Sequence, residues 1–576
     1  FEAEALTYDY SASIEVSCVC NKYILKCLAH PQKPQYNGGI IKNPELNNGL
    51  EGWTPFGDAR IEHRELLGNK YVVAHSRNQA NDSVSHKINL KKDRHYTLSA
   101  WIQVSEGNVP VTAVVKTSTR LKFGGAIFAD SGCWSMLKGG LTADSSGPAE
   151  LYFESNNTSV EIWIDSVSLQ PFTEEQWRSH HDGSIQKEAV DKEGKPLRNA
   201  SMSLVQKRAG FPFGSAINNY ILKSIPFQNW FTSRFTVTTF GNEMKWYTNE
   251  NVRGRDNYWD ADAMLQFAKK HRIAVRGHNI FWDDPNFQPS WVPSLPPDQL
   301  NSAVQRRINS VVSRYRGQLI AWDVVNENLH FSFFESKLGQ NFSAKMFNEA
   351  HRIDGTPTLF LNDYNTIEDA RDGTVSPTRY IQKLRQIQRY PGNSRLPIGI
   401  GLEAHFPSLG LNLPYMRASI DTLAATGLPV WITELDVANQ PKQTQYFELV
   451  LREAYAHPGV KGIVLWAGGW SPQGCYRMCL VDRNFKNLPA GNVVDKLLSE
   501  WRVSRKLLAT TDHNGYFQAS LSHGDYEIEL THPVNKNYTS THSIQVTPTD
   551  ESKKIKQFVK LSMNFTFAAI NSIIVP

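Results

Sequence analysis

At 576 residues the chain is too long for one ordinary core, so two to four domains are expected. Its 40% hydrophobic and 20% charged residues exclude a disordered or low-complexity chain. A net charge of +5 makes no case for nucleic acid, though it would not repel an acidic polysaccharide, and no run of about 18 apolar residues spans a membrane.

Residues 1–37 are irregular, carry Cys18, Cys20 and Cys27, and end in the proline-rich stretch Pro31 to Pro34. A start at Phe1 rather than Met is what a processed or truncated product gives. From 38 to 172 the text turns to short alternating runs, such as Tyr96 to Val104 and Val160 to Leu169. That pattern predicts a β-sandwich. Residues 173–209 read as a linker and the first strands of a small β-domain, and 504–576 as its remainder. Between them, 210–503 alternates short apolar strands with amphipathic helices. Strands are predicted at Phe213, Phe235, Ala274, Ile320, Thr358, Ile398, Val430 and Gly462, and a helix follows from Asp260. Repeated strand–helix units without a glycine-rich phosphate turn predict a (β/α)8 barrel rather than a doubly wound sheet.

Six cysteines allow 15 pairings. Cys475 and Cys479 are expected to close a local disulfide after the eighth strand, free thiols being the alternative. The other four stay unassigned, and no cysteine has zinc-like spacing, so neither metal nor cofactor is expected. Sequons at Asn81, Asn156, Asn157, Asn199, Asn341, Asn537 and Asn564 favour a secreted glycoprotein, extracellular or in a cell wall. A monomer is expected.

Polar stretches gather where the predicted barrel strands end, the face on which such barrels build active sites. They include Asn242 to Trp246, Arg276 to Asn279 with Trp282, Trp322 to Glu327, Asn362 to Asn365, Gly401 to His405, Thr433 to Asp436, and Trp466. Glu327 and Glu434 end the fourth and seventh strands, which face each other across a barrel mouth. Paired carboxyls in that position suit glycoside hydrolysis, one as proton donor and one as the group that attacks the sugar. His405 and Asp436 suit orientation of Glu434, and Asn326 stands placed for the sugar 2-hydroxyl.

The same stretches resemble the motifs of glycoside hydrolase family 10, the xylanase barrels, in their plant-type branch. The likeness runs in order over about half the chain. It implies a retaining endo-β-1,4-xylanase, with or without transfer to a second chain, in which Glu327 is the acid/base and Glu434 the nucleophile. It also implies that Asn242, Lys245, His278, Trp282, Asn326, His405 and Trp466 meet or position sugar on the non-reducing-end side. Two departures stand out: Gly241 replaces a frequent glutamate, and Glu403 stands where microbial members carry glutamine. Residues 38–172 resemble carbohydrate-binding module family 22 through Asn43 to Leu46, Gly52-Trp53 and Trp163 to Leu169. Where relatives usually show Arg-Thr followed by an aromatic, this chain reads Ser76-Arg77-Asn78-Gln79-Ala80-Asn81. The segments flanking the barrel resemble one carboxypeptidase-regulatory-like sandwich, so 185–207 is expected to pair with 505–560, a plain linker and appended β-domain being the alternative. Rival readings are a β-1,4-glucanase or mixed-specificity glycanase, and an inactive polysaccharide-binding protein.

Overall fold

The computed structural model describes residues 28–178, 184–190, 198–209, 211–407, 410–467, 477–501, 507–514, 516–520, 524–531, 539–546 and 560–562. Cys18, Cys20, Cys27, Cys475, Asn537 and Asn564 lie outside them. The chain divides after Ser179, before Phe213 and after Val493 into two compact units.

Ten strands open the first unit: β1 (Trp53–Phe56), β2 (Arg60–Leu66), β3 (Asn69–His75), β4 (Ser83–Leu90), β5 (His95–Val104), β6 (Asn108–Thr117), β7 (Leu121–Asp130), β8 (Ser135–Thr142), β9 (Gly147–Glu154) and β10 (Ile162–Phe172). They form two five-stranded antiparallel sheets, ordered β1-β4-β9-β6-β7 and β2-β3-β10-β5-β8. Alternation along the strands explains the burial. In β6, Val109, Val111, Ala113 and Val115 enter the core between the sheets, while Pro110 and Lys116 stay exposed. Arg77, within the stretch Ser76 to Asn81, is buried. Its guanidinium donates to the carbonyls of Ala80, Asp82, Ser155, Asn157 and Val160 at 2.6 to 3.2 Å, so it ties two loops together.

β11 (Ser184–Val190) and β12 (Ser201–Ala209) come next in the chain and belong to the second unit. The barrel follows with β13 (Phe213–Ile217), β14 (Val237–Phe240), β15 (Ala274–Gly277), the short β16 (Phe281–Trp282), β17 (Ala321–Asn326), β18 (Thr358–Asp363), β19 (Ile398–Leu402), the short β20 (His405–Phe406), β21 (Val430–Val437) and β22 (Val460–Leu465). Setting the two short strands aside, eight pair in parallel, and β13 bonds both β14 and β22, which closes the ring. The second barrel strand begins at Val237, two residues later than its apolar run suggests. Phe235 instead ends the preceding helical turn, its N–H donating to Phe231 O at 3.0 Å. Val237, Ala321, Phe360, Trp431 and Val464 pack together inside. Glycines make room for the two large rings: a Cβ on Gly399 would meet Phe360 at 2.6 Å, and one on Gly462 would meet Trp431 at 2.5 Å.

The helix Leu413–Ala424 shows how sandwich and barrel join. Polar Arg417, Ser419 and Asp421 are buried along with its apolar residues, because β5 and β8 cover the side turned away from the barrel. Gly140 permits the approach, since a Cβ there would meet Pro414 at 2.5 Å. Asn412 Nδ2 donates to Gly140 O at 2.9 Å, and the Trp177 indole N–H donates to Glu453 Oε2 at 2.8 Å.

In the second unit, β23 (Leu507–Thr510), β24 (Tyr516–Ser520), β25 (Gly524–Thr531), β26 (Thr539–Val546) and β27 (Lys560–Ser562) complete two small sheets, β24-β11-β27 and β23-β12-β25-β26. Strands preceding the barrel thus pair with strands following it. Met202 opposes Leu530 and Leu204 opposes Ile528, all four buried.

Candidate active site

The barrel strands deliver their polar ends to one mouth. Glu327 follows β17 directly, and its backbone turns left-handed there (φ 56°), a conformation that costs a non-glycine residue about 1 kcal/mol or more. Two hydrogen bonds hold it, Glu327 N–H to Asn362 O at 2.8 Å and Phe331 N–H to Glu327 O at 3.0 Å. Glu434 sits within β21, where its N–H donates to Glu403 O at 3.1 Å.

Glu434 is surrounded by donors. Asn362 Nδ2 lies 2.9 Å from Glu434 Oε1, 3.2 Å from Glu403 Oε1 and 2.9 Å from Asn326 Oδ1, and Asn362 Oδ1 accepts from the Thr433 hydroxyl at 2.6 Å. His405 Nε2 is 3.7 Å from Glu434 Oε2 and 3.4 Å from Glu403 Oε2, while its Nδ1 is 3.3 Å from Asp436 Oδ1. Arg477 Nε donates to that same Asp436 oxygen at 2.8 Å. On the other side His278 Nδ1 donates to Asp323 Oδ2 at 2.9 Å and lies 3.8 Å from Glu434 Oε1. Asp323 is itself paired with the buried Arg276 at 2.6 Å.

These neighbours give the two carboxyls opposite protonation states. Burial alone would raise the pKa of Glu434, but His278, His405 and Lys245 outweigh it and hold the group down at about 2. Glu327 goes the other way. Burial, aided by the charges of Asp363 and Glu434 and opposed by the Trp282 indole and Lys245, pushes it up to about 8. Burial and the adjacent charges of Glu434 and Glu327 also push Glu403 well above the carboxylate range. Lys245 is lowered by burial against the pull of Glu434, Glu327 and Glu403.

Glu403, His405 and Glu434 offer three ligand atoms within 4.8 Å of one another, a spacing a metal ion can bridge. The donor chemistry fits a proton network better. Burial opposes protonation of His405, but Asp436, Glu403 and Glu434 hold its pKa well above the usual imidazole value, and an imidazolium has no lone pair for a metal.

Two comparisons identify the family. A model described as glycosyl hydrolase family 10 matches residues 201–496, and one described as a carbohydrate binding domain matches residues 38–159. Endo-1,4-beta-xylanase 5 of Arabidopsis thaliana is 41% identical over 478 residues, covering 81% of this chain and 84% of that protein. Endo-1,4-beta-xylanase 5-like of the same plant is 39% identical over 554 residues, covering 94% of each. The chain belongs to glycosyl hydrolase family 10. Within this family 10 barrel, the residues singled out from the sequence fall into three groups. Glu327, Glu434, Asn326, His405 and Asp436 converge as described. Lys245, His278, Trp282 and Trp466 form a second cluster beside them. The Lys245 ammonium lies 4.2 Å from the Trp282 ring centroid and 5.7 Å from that of Trp466, and the His278 and Trp466 rings meet edge to face at 5.4 Å. Asn242 stands at the rim, where Oδ1 accepts from the Tyr247 hydroxyl at 2.6 Å.

The peripheral expectations lie apart from the mouth. Cys479 and Cys133 are disulfide-bonded; Cys475 lies outside the described residues. Asn156, Asn157, Asn199 and Asn341 are exposed and Asn81 half-buried. No helix among the described residues is long and apolar enough to cross a membrane. Sequence reasoning assigned no role to Asn362, Asp323, Arg477 or His330. Asn362 carried a usable signal, since it ends an apolar strand run like Glu327. His330 carried none: Asp363 and Asp372, its partners at 2.5 and 2.9 Å, lie 33 and 42 residues away.

Proposed function

We propose that the chain is a retaining endo-β-1,4-xylanase that acts outside the cell, with Glu327 as acid/base and Glu434 as nucleophile. The observation that carries this reading is the opposed protonation of two carboxyls at the mouth of a family 10 barrel. Arabidopsis relatives named as endo-1,4-beta-xylanases support the substrate class. Exposed sequons and disulfide-bonded cysteines support the secretory route.

In the first step the Glu327 carboxylic acid gives its proton to the glycosidic oxygen as the Glu434 carboxylate attacks the anomeric carbon. The C–O bond to the leaving segment breaks, and a glycosyl ester forms on Glu434. Esterification removes the Glu434 charge, one of the causes that raise Glu327, so the acid released in step one becomes a competent base. Glu327 then takes a proton from water, whose oxygen attacks the anomeric carbon and frees the Glu434 carboxylate. A hydroxyl of a second xylan chain replaces water in transfer. Each displacement inverts the carbon, so the β configuration returns. Asn362 and His405 hold Glu434, and Asn326 is placed beside both carboxyls for the 2-hydroxyl.

Proton NMR of wild type and Glu434→Gln digesting xylan and carboxymethylcellulose tests this. Early β-anomer from xylan alone, absent in the variant, is expected; no product from wild type on either polymer would overturn the reading.

A further inference from the structure

The sandwich and the barrel meet along a groove of about 830 Å3, within the size range of ligand sites. Its sandwich wall carries Phe123 and Phe128 of β7, Glu154 of β9 and Asn156, the first residue of a sequon, whose glycan would share this groove. Its barrel wall carries Leu329, two residues beyond Glu327, with Arg371 and Arg379. The groove therefore begins in the segment that leaves the proton donor.

Its side of the cleft follows from the order of the barrel strands. Asn242, Lys245, His278 and Trp282 project from the segments after β14 and β15. The groove is built by segments after β17 and β18, on the opposite flank of Glu327. A chain held by the first group and passing Glu327 runs out toward the second. The oxygen that Glu327 protonates belongs to the departing segment, which places the groove on the leaving-group side. Next to Leu329, His330 bonds Asp363 and Asp372 and stacks on Tyr364 with ring centroids 3.8 Å apart.

Charge narrows the occupant further. Arg371, Arg379 and Lys383 line the groove against one carboxyl, Glu154. Arg371 is engaged by Asp369 and Lys383 by Glu335. Arg379 is exposed and, among the described residues, bonds only the neutral side chain of Gln382, Nη1 to Oε1 at 3.2 Å, while its guanidinium lies 3.9 Å from the Phe128 ring centroid. A guanidinium held against a ring keeps N–H groups for a carboxylate.

Resting on the reading of the chain as a xylanase, we propose that this groove is the leaving-group end of the substrate cleft, built jointly by sandwich and barrel. It takes xylan segments that carry a uronic acid, whose carboxylate binds Arg379. The sandwich is then part of the cleft rather than a detached tether.

Initial rates of wild type, Arg379→Gln and Phe128→Ala on uronate-bearing xylan and on unsubstituted linear xylan test the proposal, with melting curves to verify folding. Loss of a charge-assisted bond predicts that Arg379→Gln lowers the ratio of kcat/KM between the two polymers by about tenfold or more, through KM. Phe128→Ala lowers it in the same direction. Added salt lowers the wild-type ratio but not that of Arg379→Gln. Ratios equal to wild type in both folded variants would overturn the groove while leaving the xylanase reading intact. Failure of wild type to cleave either polymer would overturn both.

Discussion

Replacing Glu327 with glutamine separates the cost of the proton donor from its use. In the folded protein burial holds this carboxyl up at about 8, against an ordinary 4.5. Below pH 4.5 the group is protonated whether folded or unfolded and contributes nothing to pH dependence. Between pH 4.5 and about 8 the unfolded chain ionises it while the folded one keeps the proton, so stability is lost as pH rises. The loss is about 1.4 kcal/mol per pH unit, or about 3 kcal/mol by pH 7. Glutamine has the shape of the protonated acid and never ionises. Glu327→Gln is therefore expected to match wild type in stability at pH 4 and to exceed it by about 3 kcal/mol at pH 7, roughly 3 °C in Tm for a unit of this size.

Calorimetric or fluorescence melts of both proteins at pH 4, 5.5 and 7 measure this directly. The same variant should lose on the order of 100-fold to 10,000-fold of its rate on xylan, whose leaving alcohol needs a proton. It should lose far less on an aryl xylobioside, whose phenolate leaves unaided. A stability difference that does not change between pH 4 and pH 7 would refute the claim that burial keeps Glu327 protonated. Equal losses on xylan and the aryl substrate would refute its role as donor.

Three further outcomes are expected. A Cβ at Gly241 meets only Ile217 O, at 3.7 Å, so Gly241→Glu fits and should lower KM for xylo-oligosaccharides severalfold at unchanged kcat; a higher KM would show the space is not a sugar subsite. Glu403→Gln removes one of the carboxyls that hold the His405 proton, so His405 should titrate lower by histidine NMR while kcat falls no more than a few-fold. A chain ending at Trp501 lacks every strand that bonds β11 and β12, and should aggregate through those open edges; a soluble, fully stable product would contradict the pairing seen here.

The parts of the site legible in the sequence are those that depend on one strand at a time. Glu327 and Glu434 each close an apolar run, and their places as fourth and seventh strand put them across the mouth. The pairing of the flanking segments was legible for a similar reason: neither has strands enough to close a core, so each required the other. What stayed hidden depends on what a neighbouring strand or loop brings. Asn362 looks like Asn365 in the text, yet Asn362 alone joins Glu434, Glu403 and Asn326. Nothing in the spacing shows that His330 links the segments after two strands, or that Arg379 reaches a phenylalanine 251 residues earlier.

Trp282 illustrates the limit most clearly. The family resemblance implies that it meets or positions sugar, which a tryptophan at a cleft does by stacking an open face on the ring. In the structure Phe287 stacks on it with centroids 4.0 Å apart and planes 3° from parallel. The Lys245 ammonium, 4.2 Å from the same centroid, must then occupy the other face. A ring covered on both faces has only its edge left, and its N–H, itself buried, is among the influences that temper Glu327. Its contribution then runs through the acid's proton and the placement of Lys245 rather than through stacking. Trp282→Phe, which keeps the apolar ring and removes the N–H, should raise the basic limb of the pH–rate profile. A lost stacking surface would instead raise KM at an unchanged profile.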